Sequence, residues 1–337
     1  MKKSIVKDIE NNAGEVFAQN IKMDKNAKIY VAGHRGLVGS AVLRRLQKDG
    51  YSNLVFKTHA ELDLLDQKAV LSLFEKEKPE YVFLAAAKMG GIMAAFTMPA
   101  QFMYENSVIQ NNVIHSSYLV NVKKLLFLGS SCIYPKLCPQ PIKEEYLLTG
   151  PLESTNDSYA LAKIAGIFMC QSYNRQYGTN FISVMPSNLY GPNDNFDLQK
   201  SHVLPALMRK FHEAKKNNMG EVTLWGTGKP RREFLYADDL VDACLFLMNT
   251  YNSSEIVNIG SGTDLTVKEL AEMMKKLVGF EGKIIWDKTK PDGTPQKLLD
   301  VNKIHTLGWQ HKINLEEGIS MTYEWYKKNY ERYEKIA

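Results

Sequence analysis

Short apolar segments rich in β-branched and aromatic residues alternate with amphipathic segments along most of the chain. Six apolar segments have the length and composition of buried strands: Lys28–Ala32, Asn53–Lys57, Glu80–Ala85, Lys124–Gly129, Asn180–Met185 and Ile256–Gly260. The segments between them predict helices at Val38–Asp49, Gln67–Glu77, Pro99–Tyr118, Ser158–Tyr177 and Ala237–Thr250. Strands that alternate with helices form βαβ units, so the pattern predicts an α/β fold with a doubly wound, Rossmann-type parallel sheet.

A second, smaller α/β lobe is predicted because this alternation changes in the second half of the chain. The strand pattern stops between Gly191 and Pro230, and two further helices are expected at Thr266–Val278 and Leu315–Tyr330. A stretch rich in Gly, Pro and Lys, residues 288–297, lies between those helices. The Rossmann domain is expected to comprise residues 28–190 and about 231–260. The substrate-binding lobe is expected to comprise residues 191–230 and 261–337.

Charge and cysteine content restrict the kind of partner and the cell compartment. The 42 basic and 37 acidic residues are dispersed, with no long block of one sign, so acidic small molecules are better partners than nucleic acids. The four cysteines show neither a Cys-x-x-Cys pair nor metal-ligand spacing, which favours reduced thiols, no metal site and a cytoplasmic location. Residues 1–27 are polar and are expected to form a leader, and no stretch has the length of a membrane span.

A glycine-spaced turn follows the first predicted strand. Gly33, Gly36 and Gly39 have the spacing Gly-x-x-Gly-x-x-Gly and stand where that strand gives way to a helix. Glycines at such a turn let the backbone approach a pyrophosphate, which the helix N-terminus then stabilises. The turn predicts a dinucleotide site, although a plain glycine-rich turn is the alternative.

The choice of dinucleotide depends on the end of the second predicted strand. NAD-selective sites place an acid there to bond the ribose 2′-hydroxyl, whereas this strand ends in Lys57-Thr58-His59. Arg35 adds positive charge from the glycine turn, so NADP(H) is the predicted cofactor, unless Lys57 and His59 are merely solvated. Asp63 could contact the adenine or could cap a helix at Leu65–Glu77.

The candidate catalytic residues follow the fourth predicted strand. Ser130-Ser131-Cys132 stands at its carboxyl end, where hydroxyls can hold a substrate carbonyl or simply cap the loop. Tyr159 and Lys163 lie four residues apart on one helix face, and an ammonium beside a phenol favours the phenolate. These groups would polarise a ketone for hydride transfer, with Tyr159 as proton donor and Lys163 orienting it and the nicotinamide ribose. A second Tyr-x-x-x-Lys pair, Tyr323 and Lys327, is interpreted as packing.

Several motifs together resemble a known family. Gly-x-x-Gly-x-x-Gly, Ser-Ser-Cys-Ile-Tyr-Pro from Ser130 and Tyr-Ala-Leu-Ala-Lys from Tyr159 are similar to those of the extended short-chain dehydrogenase/reductases. Within that group the chain resembles the GDP-L-fucose synthases, over nearly all of Lys28 to Glu324. This resemblance implies C3/C5 epimerisation of GDP-4-keto-6-deoxy-D-mannose, followed by NADPH-dependent reduction at C4. It also implies a homodimer, for which the helices at Pro99–Tyr118 and Ser158–Tyr177 would be the natural interface.

The resemblance also implies roles for individual residues. Cys132 and His202 would be the acid/base pair of epimerisation; without the resemblance, Cys132 would be taken as a small buried residue and His202 as the start of a helix. The implied cofactor contacts add seven residues: Leu37, Val38, Ala86, Pro186, Asn188, Leu189 and His202. The implied substrate contacts are Ser131, Asn188, Lys210, Trp225, Arg232 and Lys297. Lys210 could instead be solvated, and Trp225 could be core.

Three departures from the family pattern leave the substrate open. Lys210 and His59 stand where close relatives have arginine, and Gln296 replaces a basic residue. The alternative substrate is a GDP-4-keto-6-deoxy-heptose. A nucleotide-sugar 4-epimerase or dehydratase with tightly bound NAD is a further alternative, although a dehydratase would carry an acidic pair where Cys132 and Ile133 follow Ser131. A non-catalytic dinucleotide sensor would be expected to lack Tyr159 or Lys163.

Overall fold

A six-stranded parallel sheet forms the larger part of the molecule, in a computed structural model that describes residues 22–198, 200–290 and 292–331. Its strand order is β2-β1-β3-β4-β5-β9, which is doubly wound as predicted. Helices cover both faces, so strand positions are almost all buried and the sequence of each strand is apolar. The bounds are β1 Ile29–Ala32, β2 Leu54–Val55, β3 Tyr81–Leu84, β4 Lys124–Leu128, β5 Phe181–Pro186 and β9 Val257–Ile259.

The helices around this sheet confirm the predicted positions to within a residue or two. The second helix begins at Gln67 as predicted, and the alternative start at Leu65 is wrong because Asp66, not Asp63, accepts hydrogen bonds from the first-turn amides. A short helix, Ile92–Thr97, precedes the helix that begins at Pro99 and was not predicted. The bounds are α1 Leu37–Lys48, α2 Gln67–Glu77, α3 Ile92–Thr97, α4 Pro99–Leu119, α5 Asp157–Tyr177 and α7 Ala237–Thr250.

The predicted leader falls mostly outside the described residues, and its last part packs on the Rossmann domain. Residues 1–21 are not described. Met23 and Ala27 are buried, and the Met23 amide donates to Asn249 Oδ1 at 2.8 Å. The expectation of a separate leader is therefore wrong for residues 22–27, because apolar side chains there find a place in the core.

Two small sheets and four helices form the rest of the described chain. Strand β8 lies between β10 and β12 and also pairs with β6, while β7 pairs in parallel with β11. The strands are β6 Asn188–Tyr190, β7 Glu221–Trp225, β8 Arg231–Tyr236, β10 Asp264–Thr266, β11 Lys283–Asp287 and β12 Gln296–Lys297. The helices are α6 Val203–Lys216, α8 Val267–Val278, α9 Asn302–Leu307 and α10 Leu315–Asn329.

Two of these strands correct the sequence prediction. Strand β7 lies in the region where the strand pattern was expected to stop, and its exposure alternates because only one face is covered. Strand β12 lies in the stretch rich in Gly, Pro and Lys, and it exists through parallel pairing with β8. The Tyr323 and Lys327 pair is confirmed as packing: Tyr323 is buried against His212, and Lys327 Nζ lies 5.1 Å from its ring centroid.

A buried carboxylate, Glu233, connects β8 to the segments that follow β9 and β12. Glu233 on β8 is 0% exposed and accepts hydrogen bonds from the amides of Gly262 at 2.7 Å and Leu299 at 3.0 Å. Burial raises its pKa to about 7. The segment after β12 is thereby fixed against β8.

None of the described helices combines the length and apolar character needed to cross a membrane.

Candidate active site

The glycine turn joins β1 to α1 with close backbone contacts. Gly33 has φ +85°, and a Cβ there would lie 2.8 Å from the Ala86 backbone that follows β3. A Cβ at Gly39 would lie 2.1 Å from the Gly33 carbonyl oxygen, so helix and turn touch directly. Gly36 is the N-cap of α1, and no side chain caps that first turn. Its amides and the glycine surface together fit a diphosphate, with Leu37 and Val38 as the first helical residues.

The adenosine end holds more negative charge than the sequence pattern indicated. Lys57 Nζ lies 3.9 Å from Glu61, and His59 Nδ1 lies 3.7 Å from Asp63. Hydrogen bonds from Thr58, together with the charges of Lys57 and Arg35, lower the pKa of the Glu61 carboxyl. The interpretation that no acid stands at this strand end is therefore wrong, because the chain turns back and brings Glu61 to it. Asp63 accepts from the Leu65 amide and does not cap α2.

A buried tyrosine and lysine face the carboxyl end of β4. Tyr159 is 6% exposed and Lys163 is 3% exposed. Lys163 Nζ donates to the Leu128 carbonyl at 2.8 Å and lies 5.9 Å from the Tyr159 ring centroid. Burial lowers the pKa of Lys163 to about 8. These positions put the ammonium at the carboxyl end of β4, the same edge of the parallel sheet from which the glycine turn leaves β1.

The protonation of Tyr159 differs from the expectation of a phenolate. Burial raises the pKa of the phenol far above its ordinary value, the sulfur of Cys132 adds to the shift, and a hydrogen bond with Ser130 opposes it. The Lys163 charge does not offset this burial, because Nζ is directed to the Leu128 carbonyl instead. Tyr159 therefore keeps its proton at neutral pH.

The Ser130-Ser131-Cys132 segment leaves β4 as a turn of 3₁₀ helix. Ser130 caps this turn, since its Oγ accepts from the Cys132 amide at 3.2 Å, and Ser131 is buried. Cys132 is half-buried, and its Sγ lies 3.4 Å from Lys297 Nζ. Burial alone would raise the pKa of this thiol, but the Lys297 charge and hydrogen bonds outweigh burial and lower it. One of those hydrogen bonds comes from Asn156, at the N-cap of α5.

His202 lies at the start of α6 as its N-cap residue. The residue as a whole is exposed to solvent. Partial desolvation of the imidazole by the surrounding protein, with the positive charge of Lys297, lowers its pKa. The structure thus brings Cys132 and His202 to the same lysine.

Cations surround an exposed tryptophan at the outer end of the site. Trp225 is 50% exposed at the end of β7, and Lys210 Nζ and Lys290 Nζ lie 5.8 and 5.7 Å from its ring centroid. Lys210 also donates to the Thr223 carbonyl at 3.0 Å. Arg232, on β8, is affected by the charges of both Cys132 and Asp292. The alternative that Trp225 is core is wrong, because half of it is open to water.

The remaining predicted residues line the same edge of the sheet. Pro186 ends β5, and Asn188 and Leu189 begin β6, with Asn188 Nδ2 donating to the Glu233 carbonyl at 2.7 Å. Sequence reasoning missed Asn156, Glu61 and Lys290. Only Asn156 carried a signal, since it precedes Tyr159 by three residues and so shares its helix face.

Comparisons with known proteins agree with this geometry. The model of the NAD dependent epimerase/dehydratase family matches residues 29–260. GDP-L-fucose synthase 1 of Arabidopsis thaliana is 64% identical over 306 residues, which are 91% of this chain and 95% of the relative.

Two solved structures are similar over nearly their whole length. A GDP-6-OMe-4-keto-L-xylo-heptose reductase from C. jejuni superposes with a TM-score of 0.86 at 47% identity, covering 91% of this chain and 99% of that one. A GDP-L-fucose synthetase from Naegleria fowleri bound to NADP has a TM-score of 0.86 at 32% identity, covering 94% and 99%. The residues matched by the family model include the glycine turn, Cys132, Tyr159, Lys163 and His202.

Proposed function

This chain belongs to the NAD dependent epimerase/dehydratase family and, within it, to the GDP-L-fucose synthases, and on that premise we propose a bifunctional epimerase and reductase. It converts GDP-4-keto-6-deoxy-D-mannose to GDP-L-fucose by inversion at C3 and C5 and reduction at C4. The observation that carries the proposal is one site that holds both a protonated phenol, Tyr159, and a thiol of lowered pKa, Cys132. A ketone reductase needs the first group, and epimerisation needs the second.

The reduction depends on groups at the end of β4. A nicotinamide dinucleotide held by the glycine turn and Lys163 would supply hydride chemistry at C4. Tyr159 donates a proton to the C4 oxygen, and Ser130 holds that oxygen and the phenol in one hydrogen-bonded set. Lys163 holds the ribose and keeps a positive charge beside the site. We take the cofactor to be NADP(H), with Arg35, Lys57 and His59 near the 2′-phosphate.

The epimerisation depends on proton removal and return from opposite faces of the sugar. The 4-keto group makes the C3 and C5 protons acidic, and the electron pair left on carbon is delocalised onto the C4 oxygen beside Tyr159. Cys132 as a thiolate takes the proton and becomes a thiol. His202 returns a proton from the other face: its lowered pKa makes the imidazolium a stronger acid, and the solvent to which the residue is exposed resupplies the proton.

The outer end of the site suits a guanosine diphosphate. Trp225 offers a flat, half-exposed ring for the base, and Lys210 and Arg232 offer positive charge for the diphosphate. Asn188 orients the sugar from the start of β6. Lys290, beside Trp225, is added to the predicted set.

A heptose substrate is the second candidate, and one feature of the structure favours it. A small pocket beside Cys132 is lined in part by Glu153, Thr294 and Gln296. Glu153 and Thr294 are polar and hydrogen-bonded to each other at 3.3 Å, so they could bind a hydroxyl carried beyond C6. The heptose reductase similar to this chain acts on such an extended sugar by its name.

The test is turnover of GDP-4-keto-6-deoxy-D-mannose and the matching heptose with NADPH or NADH in D₂O, with products identified by NMR. We expect deuterium at C3 and C5, a reduced C4, and higher kcat/KM with NADPH. Cys132→Ser is expected to abolish labelling while reduction continues, because a hydroxyl does not ionise near neutrality.

Other outcomes identify the alternatives. Retained NAD without net oxidation of NADPH would indicate a 4-epimerase or dehydratase. No reaction with either sugar, although dinucleotide binds, would indicate a sensor. Reduction without labelling in the unmodified protein would leave only a reductase.

A further inference from the structure

We propose that Lys297 is a positioning residue that holds Cys132 as the thiolate, rather than a contact to the nucleotide-sugar. This proposal deepens the function above and rests on it for its catalytic consequence. Lys297 Nζ lies 3.4 Å from Cys132 Sγ. The described residues give Lys297 no carboxylate partner, so its charge is available to the sulfur.

The backbone fixes Lys297 in this position. In β12 it stands opposite Arg232 of β8 in parallel register. The next residues are anchored in turn: the Leu298 amide donates to Gln140 Oε1 at 2.9 Å, and its carbonyl accepts from the Ile142 amide at 2.7 Å. The Leu299 amide donates to the buried carboxylate of Glu233 at 3.0 Å. The lysine therefore starts from a rigid strand and not from a mobile loop.

Each element packed around Cys132 contributes a charged or titratable group. Lys297 and Arg232 are the cations, on β12 and β8, and Tyr159 faces the sulfur from α5. His202, at the start of α6, is affected by the charge of the same lysine. Lys136 also lines the pocket, but it is neutralised by Glu153 at 3.1 Å. Lys297 is thus the cation that contacts the thiol.

The other three cysteines serve as an internal comparison. Burial raises the pKa of Cys138, raises that of Cys170 to about 12, and raises that of Cys244 further still. None of them has a lysine at hydrogen-bond distance in the part of the chain that the structure describes. Cys132 is the thiol whose pKa falls despite burial, and the charge of Lys297 at hydrogen-bond distance is the largest influence that lowers it, ahead of hydrogen bonds from Ser130 and Asn156. The charge of Lys297 also reaches Cys138, but there burial prevails.

The consequence for the reaction is specific to proton removal. With Lys297 present, the thiolate takes the sugar proton, the carbon electron pair moves toward the C4 oxygen, and the lysine stays an ammonium throughout. Without it, the sulfur would hold its proton to a higher pH and would be less available as the base. Hydride transfer and proton donation by Tyr159 do not pass through this pair.

The first experiment measures the thiol itself and needs no sugar substrate. The absorbance of the thiolate at 240 nm is followed against pH, with the Cys132→Ser protein subtracted, for Lys297→Met, Lys297→Arg and Lys136→Met. We expect Lys297→Met to raise the thiol pKa by about one unit or more, which is about a tenfold loss of thiolate at neutral pH. Lys297→Arg should keep it low, and Lys136→Met should change it little. An unchanged thiol pKa in Lys297→Met would overturn the proposal.

The second experiment separates positioning from substrate binding. In Lys297→Met we expect deuterium incorporation at C3 and C5 to fall at least tenfold in kcat, with the dissociation constant of GDP within about twofold of the original. Raising the pH should restore part of the lost exchange, because the thiol then ionises. A large loss of GDP affinity, with exchange restored at saturating substrate, would make Lys297 a nucleotide-sugar contact instead.

Two further comparisons keep the outcome decisive. If Lys297→Met unfolds at a lower temperature than the original protein, Lys297→Gln is measured in its place, and rescue by Lys297→Arg separates charge from packing. If the original protein turns over neither sugar, the proposed function fails, while the 240 nm titration still decides whether Lys297 sets the thiol pKa.

Discussion

The two ends of the site use lysine side chains in different ways. At the adenosine end, Lys57 lies 3.9 Å from Glu61, and both side chains are open to water. At the inner end, Lys163 is buried against β4, and Lys297 contacts a thiol. Water and salt screen exposed charges, whereas low-dielectric surroundings do not. The same residue type therefore gives weak, adaptable recognition at one end and shifted pKa values at the other.

This contrast has a consequence for variants. At the inner end, a single substitution removes a group whose protonation the surrounding protein controls, so rates should change by orders of magnitude. At the adenosine end, several solvated charges share the recognition of one phosphate, so each should contribute little. The predictions run from the first region to the second.

The largest effect is expected from Tyr159→Phe. This change removes the proton donor and leaves the ring, so C4 reduction should fall by roughly 10²–10⁴-fold while NADPH affinity stays nearly constant. Steady-state reduction and a direct titration with NADPH measure the two quantities.

Tyr323→Phe is the matched control for that variant. Tyr323 has the same spacing to a lysine, but its hydroxyl contacts His212 in the core of the second lobe. Its loss should leave turnover unchanged. Near-normal turnover in Tyr159→Phe would remove the contrast between the two ends, and loss of turnover in Tyr323→Phe would assign the effect to folding.

An intermediate effect is expected from pH. The pKa of Lys163 is lowered to about 8, so its ammonium is lost as the pH rises through that value, and NADPH affinity should weaken up to tenfold per unit above it. Tyr159 stays protonated over this range because its pKa is raised. An alkaline limb near pH 8 in kcat/KM for NADPH is therefore assigned to Lys163.

The sign of the stability change distinguishes this limb from unfolding. Because the pKa of Lys163 is lower in the folded protein than in the unfolded chain, this group makes the free energy of unfolding increase between about pH 8 and the ordinary lysine pKa. Lys163→Met should lose affinity at neutral pH and show no limb. A limb of the same position and size in Lys163→Met would mean that another group titrates.

The smallest effect is expected from Glu61→Gln at the adenosine end. Removing the negative charge near Lys57 and Arg35 should lower the KM for NADPH a few-fold and leave NADH unaffected, because only the 2′-phosphate is repelled. Glu61 accepts a hydrogen bond from the Thr58 amide at 2.8 Å, and the side-chain oxygen of glutamine can accept the same bond. Glu75→Gln, an exposed acid on α2, controls for net charge. Equal changes for both cofactors would place Glu61 away from the 2′-phosphate.

Local pattern was sufficient for the central elements of the fold and for several groups of the site. Strands β3, β4 and β5 are rich in apolar residues because both faces of the sheet are covered, so each could be predicted from its composition. The turn at Gly33 could also be predicted from the sequence, because its positive φ and its contact with the Ala86 backbone both require glycine. Strand β12 could not be predicted, because two residues are too few to show an alternating pattern and the strand forms by pairing with β8.

The sequence by itself determined which groups are available: a tyrosine and lysine one helical turn apart, serines after a buried strand, and a glycine-spaced turn. Only the tertiary structure decided their chemical states. Lys163 was expected to promote the Tyr159 phenolate, yet burial keeps the phenol protonated. Cys132 and Lys297 are separated by 165 positions in the chain and meet at 3.4 Å. A pKa depends on burial and on neighbours brought from distant segments, and neither is a property of local spacing.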